Sequence, residues 1–99
     1  MVSRKLIWSN KAKISLYEIL EFFNKRNKSK LYSRKLYKSF HSQVKRLSNQ
    51  PEIGIETEMP DIRGLIINEY ILYYEITLDS IIIHKVWDSR QNPENLEIL

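Results

Sequence analysis

The sequence predicts an α+β fold in which a helical hairpin packs on a small antiparallel sheet, with elements in the order β-α-α-β-β-β. Three observations predict it: two helical apolar stripes in the first half, three runs of β-branched and aromatic residues in the second half, and very short gaps between those runs. Because 99 residues can enclose one hydrophobic core but not two, we expect a single domain over residues 1–99.

The first half of the chain predicts one short strand and two helices. Residues Ser3 to Trp8 alternate in the way a half-buried strand does, and Ser9 or Asn10 can cap the helix that follows. The two helical stripes comprise Ala12, Leu16, Ile19, Leu20 and Phe23, and then Leu36, Phe40, Val44 and Leu47. The polar and mostly basic segment 24–30 is predicted to connect the helices, and Pro51 to follow the end of the second. So short a connector folds the helices into an antiparallel hairpin.

The second half predicts a three-stranded meander. After a loop from Pro51 to Asp61, the predicted strands are Ile62 to Ile67, Tyr70 to Thr77 and Ser80 to Trp87. The gaps between them are too short for anything but hairpins, so the strands must be antiparallel. We expect the helices to cover one face of this sheet and the first strand to join an edge.

Charge is distributed unevenly along the chain, although the net charge is only +4. Residues 1–50 carry 13 basic and 2 acidic side chains, a balance of +11, whereas residues 51–99 carry 3 basic and 10 acidic ones, a balance of −7. Clustered cations attract nucleic acid or an acidic protein segment, although lysines also occupy solvated helix faces without any partner. The candidate binding residues of the helical hairpin are Lys28, Lys30, Arg34, Lys35, Lys38, Lys45 and Arg46.

The composition argues against several kinds of site. There is no cysteine, which excludes disulfides, thiol catalysis and cysteine-ligated zinc. His41 and His84 lie far apart without a metal-binding spacing, so we expect neither a metal site nor a cofactor. No run approaches the roughly 18 apolar residues that span a bilayer, and the start of the chain has too short an apolar stretch for a secretion signal. We therefore expect a cytosolic protein without membrane contact.

Four segments, in this order and spacing, carry a resemblance to a known family. They are IWSNKAKISLYEI at the start, LSNQPEIG after the second helix, RGLIINEYILYYEI in the sheet and DSRQNPENL at the end. Over essentially the whole chain, the sequence resembles the RelE/ParE family of bacterial toxins from type II toxin–antitoxin modules. The resemblance implies a growth inhibitor that forms a hetero-oligomer with a cognate antitoxin, and we expect that antitoxin to carry an acidic segment.

The family contains two mechanisms, and the resemblance gives reasons to choose between them. RelE-like members cut messenger RNA in the ribosome and place an arginine directly after the residue that matches Tyr70, where this chain has Ile71. The tail after Arg90 also lacks a side chain that could protonate a leaving group. We therefore favour a ParE-like inhibitor of DNA gyrase, which is not a nuclease. The alternatives are a metal-independent, ribosome-dependent mRNA endoribonuclease and a non-toxic module that binds antitoxin or nucleic acid.

Two arginines would carry catalysis if the protein were a nuclease. Arg63 and Arg90 would then stabilise the charge of the transition state, because a guanidinium contacts two phosphate oxygens at once. The alternative for Arg63 is an ion pair with Asp61, Asp88 or Glu75, and for Arg90 a turn in which Asp88 is its partner. Outside the helical hairpin, the predicted target-binding residues are Arg63, Lys85, Arg90 and Gln91.

Overall fold

The computed structural model describes residues 3–99 and has two helices packed on one face of a five-stranded sheet. The strands are β1 (Lys5–Trp8), β2 (Ile55–Glu56), β3 (Ile62–Ile67), β4 (Tyr70–Ile76) and β5 (Ser80–Asp88), and the helices are α1 (Asn10–Asn27) and α2 (Leu31–Leu47). The strand order is β1-β5-β4-β3-β2, in which β1 runs parallel to β5 and the other pairs are antiparallel. The predicted α+β architecture is confirmed. The predicted domain also includes residues 1 and 2, which lie outside the described range.

Helix α1 is longer than the sequence pattern predicts. The segment predicted as a connector from residue 24 is helical as far as Asn27, so that part of the prediction is wrong. Polar contacts replace the missing apolar ones: Asn24 donates from Nδ2 to Glu21 Oε1 over 3.2 Å and accepts from the Ser33 hydroxyl on α2. The helix ends where Lys28 adopts a left-handed conformation with φ of 51°. At the other end, Ser9 is the cap, since its hydroxyl accepts from the Ala12 amide over 3.0 Å.

The predicted loop from residue 51 to 61 contains a short 3-10 turn, Pro51–Ile53, and the strand β2. Strand β2 pairs with β3 through Ile55 opposite Gly64 and Glu56 opposite Arg63. Two residues are too few to show any alternation in sequence, so the pattern could not reveal this strand. The sheet therefore gains a fifth strand at the edge opposite β1.

The core lies between the helices and the sheet, where both predicted helical stripes are buried or half-buried. Its most completely buried side chains include Ala12, Phe40, Leu47, Leu72, Tyr74, Ile81 and Ile83. Because side chains alternate along a strand, the residues between these core positions form the other face of the sheet. A bulge between Tyr73 and Tyr74 puts His84 out of the regular register, and His84 Nε2 lies 2.8 Å from Glu75 Oε1. The helices thus cover one face of the sheet only, and the side chains on the other face are not covered by a helix.

Candidate functional site

The seven candidate cations of the helical hairpin, named the hairpin cations below, are all exposed. Lys28 and Lys30 lie in the turn between the helices, and the other five are on α2. Within residues 3–99 none of the seven forms an ion pair with a carboxylate. Their charge is therefore available to an external partner.

The hairpin cations on α2 fall into two rows. At 3.6 residues per turn, Arg34, Lys38 and Lys45 project within an arc of about 40°, on the side of α2 that faces Tyr37 and His41. Lys35 and Arg46 project from the other side of the exposed surface. The two rows can contact different partners.

A mostly apolar cleft of about 370 Å³, named the apolar groove, opens between the two helices. It is lined by Trp8, Lys13, Leu16, Tyr17, Leu20, Tyr37, Phe40 and His41. Tyr17 and Tyr37 remain 63% and 49% exposed, although each lies beside the buried stripe of its helix. The lining contains a lysine and a histidine but no carboxylate. By helical spacing, the row of Arg34, Lys38 and Lys45 projects next to Tyr37 and His41 of this lining. Apolar side chains with a basic rim suit an amphipathic, acidic polypeptide.

A second cleft of about 330 Å³, named the polar groove, lies on the opposite flank of α1. It is lined by Ser15, Glu18, Ile19, Phe22 and Phe23 of α1, by Tyr70, by Lys85 to Asp88 of β5, and by Arg90 and Gln91. Strand β1 pairs with β5 only as far as Ile83, so α1 lies against the remaining edge of β5. There the buried Ser15 hydroxyl accepts from the Val86 amide over 3.1 Å. Three of the predicted target-binding residues, Lys85, Arg90 and Gln91, meet in this groove.

Arg90 is held by two carboxylates at the mouth of the polar groove. Its Nε and Nη2 each lie 2.9 Å from an oxygen of Asp88, and its Nη1 lies 3.0 Å from Glu69 Oε2 in the turn between β3 and β4. The adjacent Ser89 hydroxyl donates to the Glu69 carbonyl over 2.8 Å, so the start of the tail is fixed to that turn. Hydrogen bonding from Arg90 lowers the pKa of Asp88 below its ordinary value, and Asp88 in turn raises the pKa of Arg90. The positive charge of Arg90 is therefore already neutralised by the carboxylates of Asp88 and Glu69.

Replacing Asp88 by asparagine is expected to loosen the start of the tail without unfolding the domain. An exposed ion pair contributes little to stability because solvent screens it, so the free energy of unfolding should change little, while amide hydrogen exchange of residues 89–91 should accelerate. The pKa of Asp88 is lower in the folded state, so its stabilising contribution is complete above about pH 4 and is lost as the pH falls through the folded value. Acidifying the native protein should therefore reproduce the loosening, and the asparagine variant should not show that pH dependence. Unchanged exchange in the variant would contradict the role given to this pair.

Tyr70 forms the inner wall of the polar groove and is only 2% exposed. Burial raises the pKa of its hydroxyl above the ordinary value, and the nearby Asp88 raises it further. The hydroxyl is therefore protonated at neutral pH and is not a general base.

Arg63 lies in a different part of the molecule. Its Nη1 donates to the Gly54 carbonyl over 2.9 Å, and its Nη2 lies 3.4 Å from Glu56 Oε1. The predicted partners Asp61, Asp88 and Glu75 are therefore wrong, because the undetected strand β2 places Glu56 opposite Arg63. Arg63 pairs with Tyr74, whereas Asp88 pairs with Tyr70, four residues or about 13 Å along β4. The structure does not bring Arg63 and Arg90 together.

Comparison with known proteins decides the family. The model of a family described as ParE toxin of type II toxin-antitoxin system, parDE, matches residues 6–93. The chain belongs to the ParE toxin family.

Solved structures agree with this assignment at the level of the fold. A chain described as the chromosomal ParDE TA system from P. aeruginosa superposes with a TM-score of 0.76 at 20% sequence identity, covering 87% of this chain and 96% of that chain. No curated protein sequence matches. The ParE fold of this chain is thus shared with a very distant relative.

The sequence did not reveal the apolar groove of this ParE family member. Lys13, Tyr17, Tyr37 and His41 attracted no prediction as site residues, because the groove exists only once α1 and α2 are packed side by side. One signal was available: each helix has a tyrosine directly beside its apolar stripe, which widens the stripe beyond what the core needs.

Two further features of residues 3–99 bear on the kind of site this family member has. No helix in that range is long and apolar enough to cross a membrane. No group of three or more histidine or acidic side chains there is arranged to hold a metal ion.

Proposed function

We propose that this chain is a growth-inhibiting toxin that acts on DNA gyrase in the bacterial cytoplasm and is neutralised by a cognate antitoxin. Membership of the ParE toxin family supports a toxin of a type II module. The observation that carries the choice of gyrase over RNA is the compensated charge of Arg90, together with its separation from Arg63.

Cleavage of RNA requires a base for the 2′-hydroxyl, cations for the phosphate and an acid for the leaving oxygen. In and around the polar groove, Glu18, Glu69 and Asp88 offset Lys85 and Arg90, so this cleft does not concentrate positive charge. Ile71, at the position where the RelE-like nucleases carry an arginine, lies between Ile66 and Trp87 on the face opposite the helices. These features favour an inhibitor that binds its target over an enzyme that cleaves RNA.

The hairpin cations are the proposed contacts with the target. They are exposed, none of them forms an ion pair with a carboxylate of residues 3–99, and they cover one end and one side of the helical layer. Such a surface binds an acidic protein patch or the DNA held by gyrase with an affinity that falls as salt rises. Gln91 and Lys85 add neutral and positive groups at the polar groove, on the other flank of α1.

The cognate antitoxin is proposed to carry an acidic, partly disordered segment that folds on the toxin. The helical hairpin, residues 10–47, carries 11 basic and 2 acidic side chains, and its surface includes exposed apolar side chains. Folding on binding allows such a segment to cover both kinds of group at once.

The proposal is tested by inducing the chain in a bacterium with and without the neighbouring reading frame. We expect growth arrest with the chain alone, rescue when the frame is co-expressed, and inhibition of plasmid supercoiling when purified chain is added to purified gyrase. Primer extension on transcripts from arrested cells should show no codon-phased cuts.

Each alternative predicts a different result. Codon-phased cuts with normal supercoiling would replace gyrase inhibition by the ribosome-dependent endoribonuclease. Normal growth in the absence of the frame would identify a non-toxic binding module. A variant with Lys35 and Arg46 changed to alanine keeps both grooves intact and tests whether these hairpin cations contact the target.

A further inference from the structure

The face of the sheet that no helix covers, named the open face, is largely apolar. Strand pairing and alternation place on it the exposed or half-buried side chains of Ile7, Ile55, Ile66, Ile71, Tyr73 and Ile82. Ile55 and Ile66 are 59% and 57% exposed. Ile62 and Trp87 belong to the same face, since they are buried but are not part of the core between the helices and the sheet. Several large apolar side chains of the open face are therefore in contact with water.

The strands of the open face have the residue pattern of strands that are covered on both sides. β3 and β4 read IRGLII and YILYYEI, which are nearly continuous apolar runs, whereas an antiparallel strand with one solvated face alternates apolar and polar residues. At Gly64 an added Cβ would lie 3.0 Å from Ile71 Cγ2 and 3.5 Å from Tyr73 Cε1, so these two side chains lie over β3 where the glycine leaves space. A contiguous apolar surface of this kind marks an interaction site.

The charged groups of the open face are few, and most of them are compensated. Glu75 Oε1 lies 2.8 Å from His84 Nε2, which leaves Lys85 as the cation that β3, β4 and β5 place on this face without a carboxylate partner among residues 3–99. Lys5 lies at the corner of the sheet, where its amide bonds to the Asp79 carbonyl. The centre of the open face is therefore close to neutral.

The border of the open face is acidic. The segment 51–61, which leads into β3, carries four acidic side chains and no basic one, and Asp79 directly precedes β5. Glu56 is paired with Arg63. The carboxylates that form no ion pair with a cation of residues 3–99 are Glu52, Glu58, Asp61 and Asp79. An apolar centre with an acidic border fits a protein surface that has an apolar centre and a basic border.

The same charges argue against two other occupants. A nucleic acid would bring its phosphates against carboxylates and would gain nothing from isoleucine side chains. Five strands spaced about 4.8 Å apart give a face of only about 400 Å², whereas a stable dimer buries about 800 Å² per partner. Two copies that met through their open faces would therefore also bring their acidic borders together, where like charges repel.

We propose that the open face is a contact surface for the protein target of this toxin, and that it binds an apolar patch of the target that is bordered by lysine or arginine. Ile66 and Ile71 contact the centre of that patch, and the carboxylates around β3 and β5 meet its basic border. This inference rests on the proposed function. It adds to the hairpin cations a second contact of opposite chemistry on the other side of the molecule.

The first test measures the affinity of the chain for purified, DNA-free gyrase after Ile66→Lys. The new ammonium group would lie against an apolar patch and near its basic border, so Kd should rise at least about tenfold. Ile14→Lys on α1 is the matched control, since Ile14 is 58% exposed, and its Kd should change by no more than about twofold. Unchanged affinity of folded Ile66→Lys would refute the contact. If urea denaturation shows that Ile66→Lys is unfolded, Ile55→Lys takes its place with the same expectation.

The second test asks whether the border of the partner is basic. Ile66→Glu removes the same apolar contact as Ile66→Lys, but its carboxylate is attracted by a basic border, so its Kd should lie between those of the wild type and the lysine variant. Added salt should reduce the difference between the two variants, because it screens the attraction and the repulsion alike. A glutamate variant that binds as weakly as the lysine variant, or more weakly, would overturn the proposed chemistry of the partner.

Two measurements without gyrase examine the other occupants. In analytical ultracentrifugation the chain should sediment as a monomer, and a dimer that Ile66→Lys abolishes would assign the open face to a second copy instead. Affinity for duplex DNA should be the same for Ile66→Lys and Ile14→Lys. Selective loss of DNA binding in Ile66→Lys would assign the open face to nucleic acid and overturn the proposal.

Supercoiling assays separate failure of this inference from failure of the proposed function. If the wild type inhibits gyrase and Ile66→Lys inhibits it equally well, the open face is not a target contact, although gyrase inhibition stands. If the wild type neither binds nor inhibits gyrase, the proposed function and this inference fall together.

Discussion

Replacing Phe40 by alanine should destabilise the protein by about 3–5 kcal/mol, the typical cost of removing a buried phenylalanine ring. Phe40 is 1% exposed, and its ring lies with its centroid 5.5 Å from that of Tyr70, so it joins α2 to the centre of the sheet. A domain of ordinary stability has about 5–15 kcal/mol in total, so the loss would leave a substantial unfolded fraction at the low end of that range. The growth inhibition proposed above should fall with the folded population.

Urea denaturation of the two proteins measures the difference. The matched control is Phe22→Ala, which removes the same ring from a position on α1 that is 56% exposed. We expect the control to lose about 1 kcal/mol or less, because most of that ring is already in water. Equal losses at the two positions would contradict the placement of the core between the helices and the sheet.

Replacing Gly54 by alanine should lower the free energy of unfolding by about 2–4 kcal/mol although it adds a single methyl group. A Cβ atom at this position would lie 2.5 Å from the Tyr74 hydroxyl oxygen and 2.8 Å from Tyr74 Cε1. Tyr74 is completely buried and cannot move aside easily. Its hydroxyl donates to the Pro51 carbonyl over 2.6 Å and accepts from the Gly54 amide over 3.0 Å, so displacement of the ring would strain the core and leave buried polar groups unpaired.

Gly64→Ala provides the comparison, since the nearest neighbour of its Cβ would be Ile71 Cγ2 at 3.0 Å, and the half-buried Ile71 side chain needs to shift by only a few tenths of an ångström. The free energy of unfolding lost in Gly64→Ala should be less than half of that lost in Gly54→Ala. Combining Gly54→Ala with Tyr74→Phe removes the nearest clashing atom, so the double variant should lose less than the sum of the single losses. Strict additivity in chemical denaturation would show that the hydroxyl is not the obstacle.

Much of the fold could be predicted because the helices and the hairpins are specified by residues close together in the sequence. The spacing of Leu36, Phe40, Val44 and Leu47 reports a helical face directly, and the gaps between the last three strands leave only hairpins. The helix cap at Ser9 follows from the same short-range chemistry. The predicted end of the first helix was wrong for a related reason. Polar contacts between Asn24 and α2 extend that helix, and the apolar pattern of the sequence does not report such contacts.

Less of the candidate site could be predicted from the sequence, because the site depends on contacts between segments that are far apart along the chain. Asp88 was foreseen as a partner of Arg90 because it is two residues away, whereas Glu69 reaches Arg90 only through the hairpin turn. The partners of Arg63 were missed for the same reason, since β2 is a two-residue strand in a region predicted to be a loop. Whether the hairpin cations, Lys85, Arg90 and Gln91 bind a target stays a prediction.

The separation of charge between the two layers gives the molecule a large permanent dipole. The helical hairpin carries 11 basic and 2 acidic residues, while residues 51–99, which form four of the five strands within residues 3–99, have a balance of −7. In the electric field of a polyanion such a dipole orients with the helical hairpin toward the polyanion before contact, which favours encounters through that side. Added salt shortens the range of that torque to roughly 8–10 Å at physiological ionic strength, and association slows accordingly.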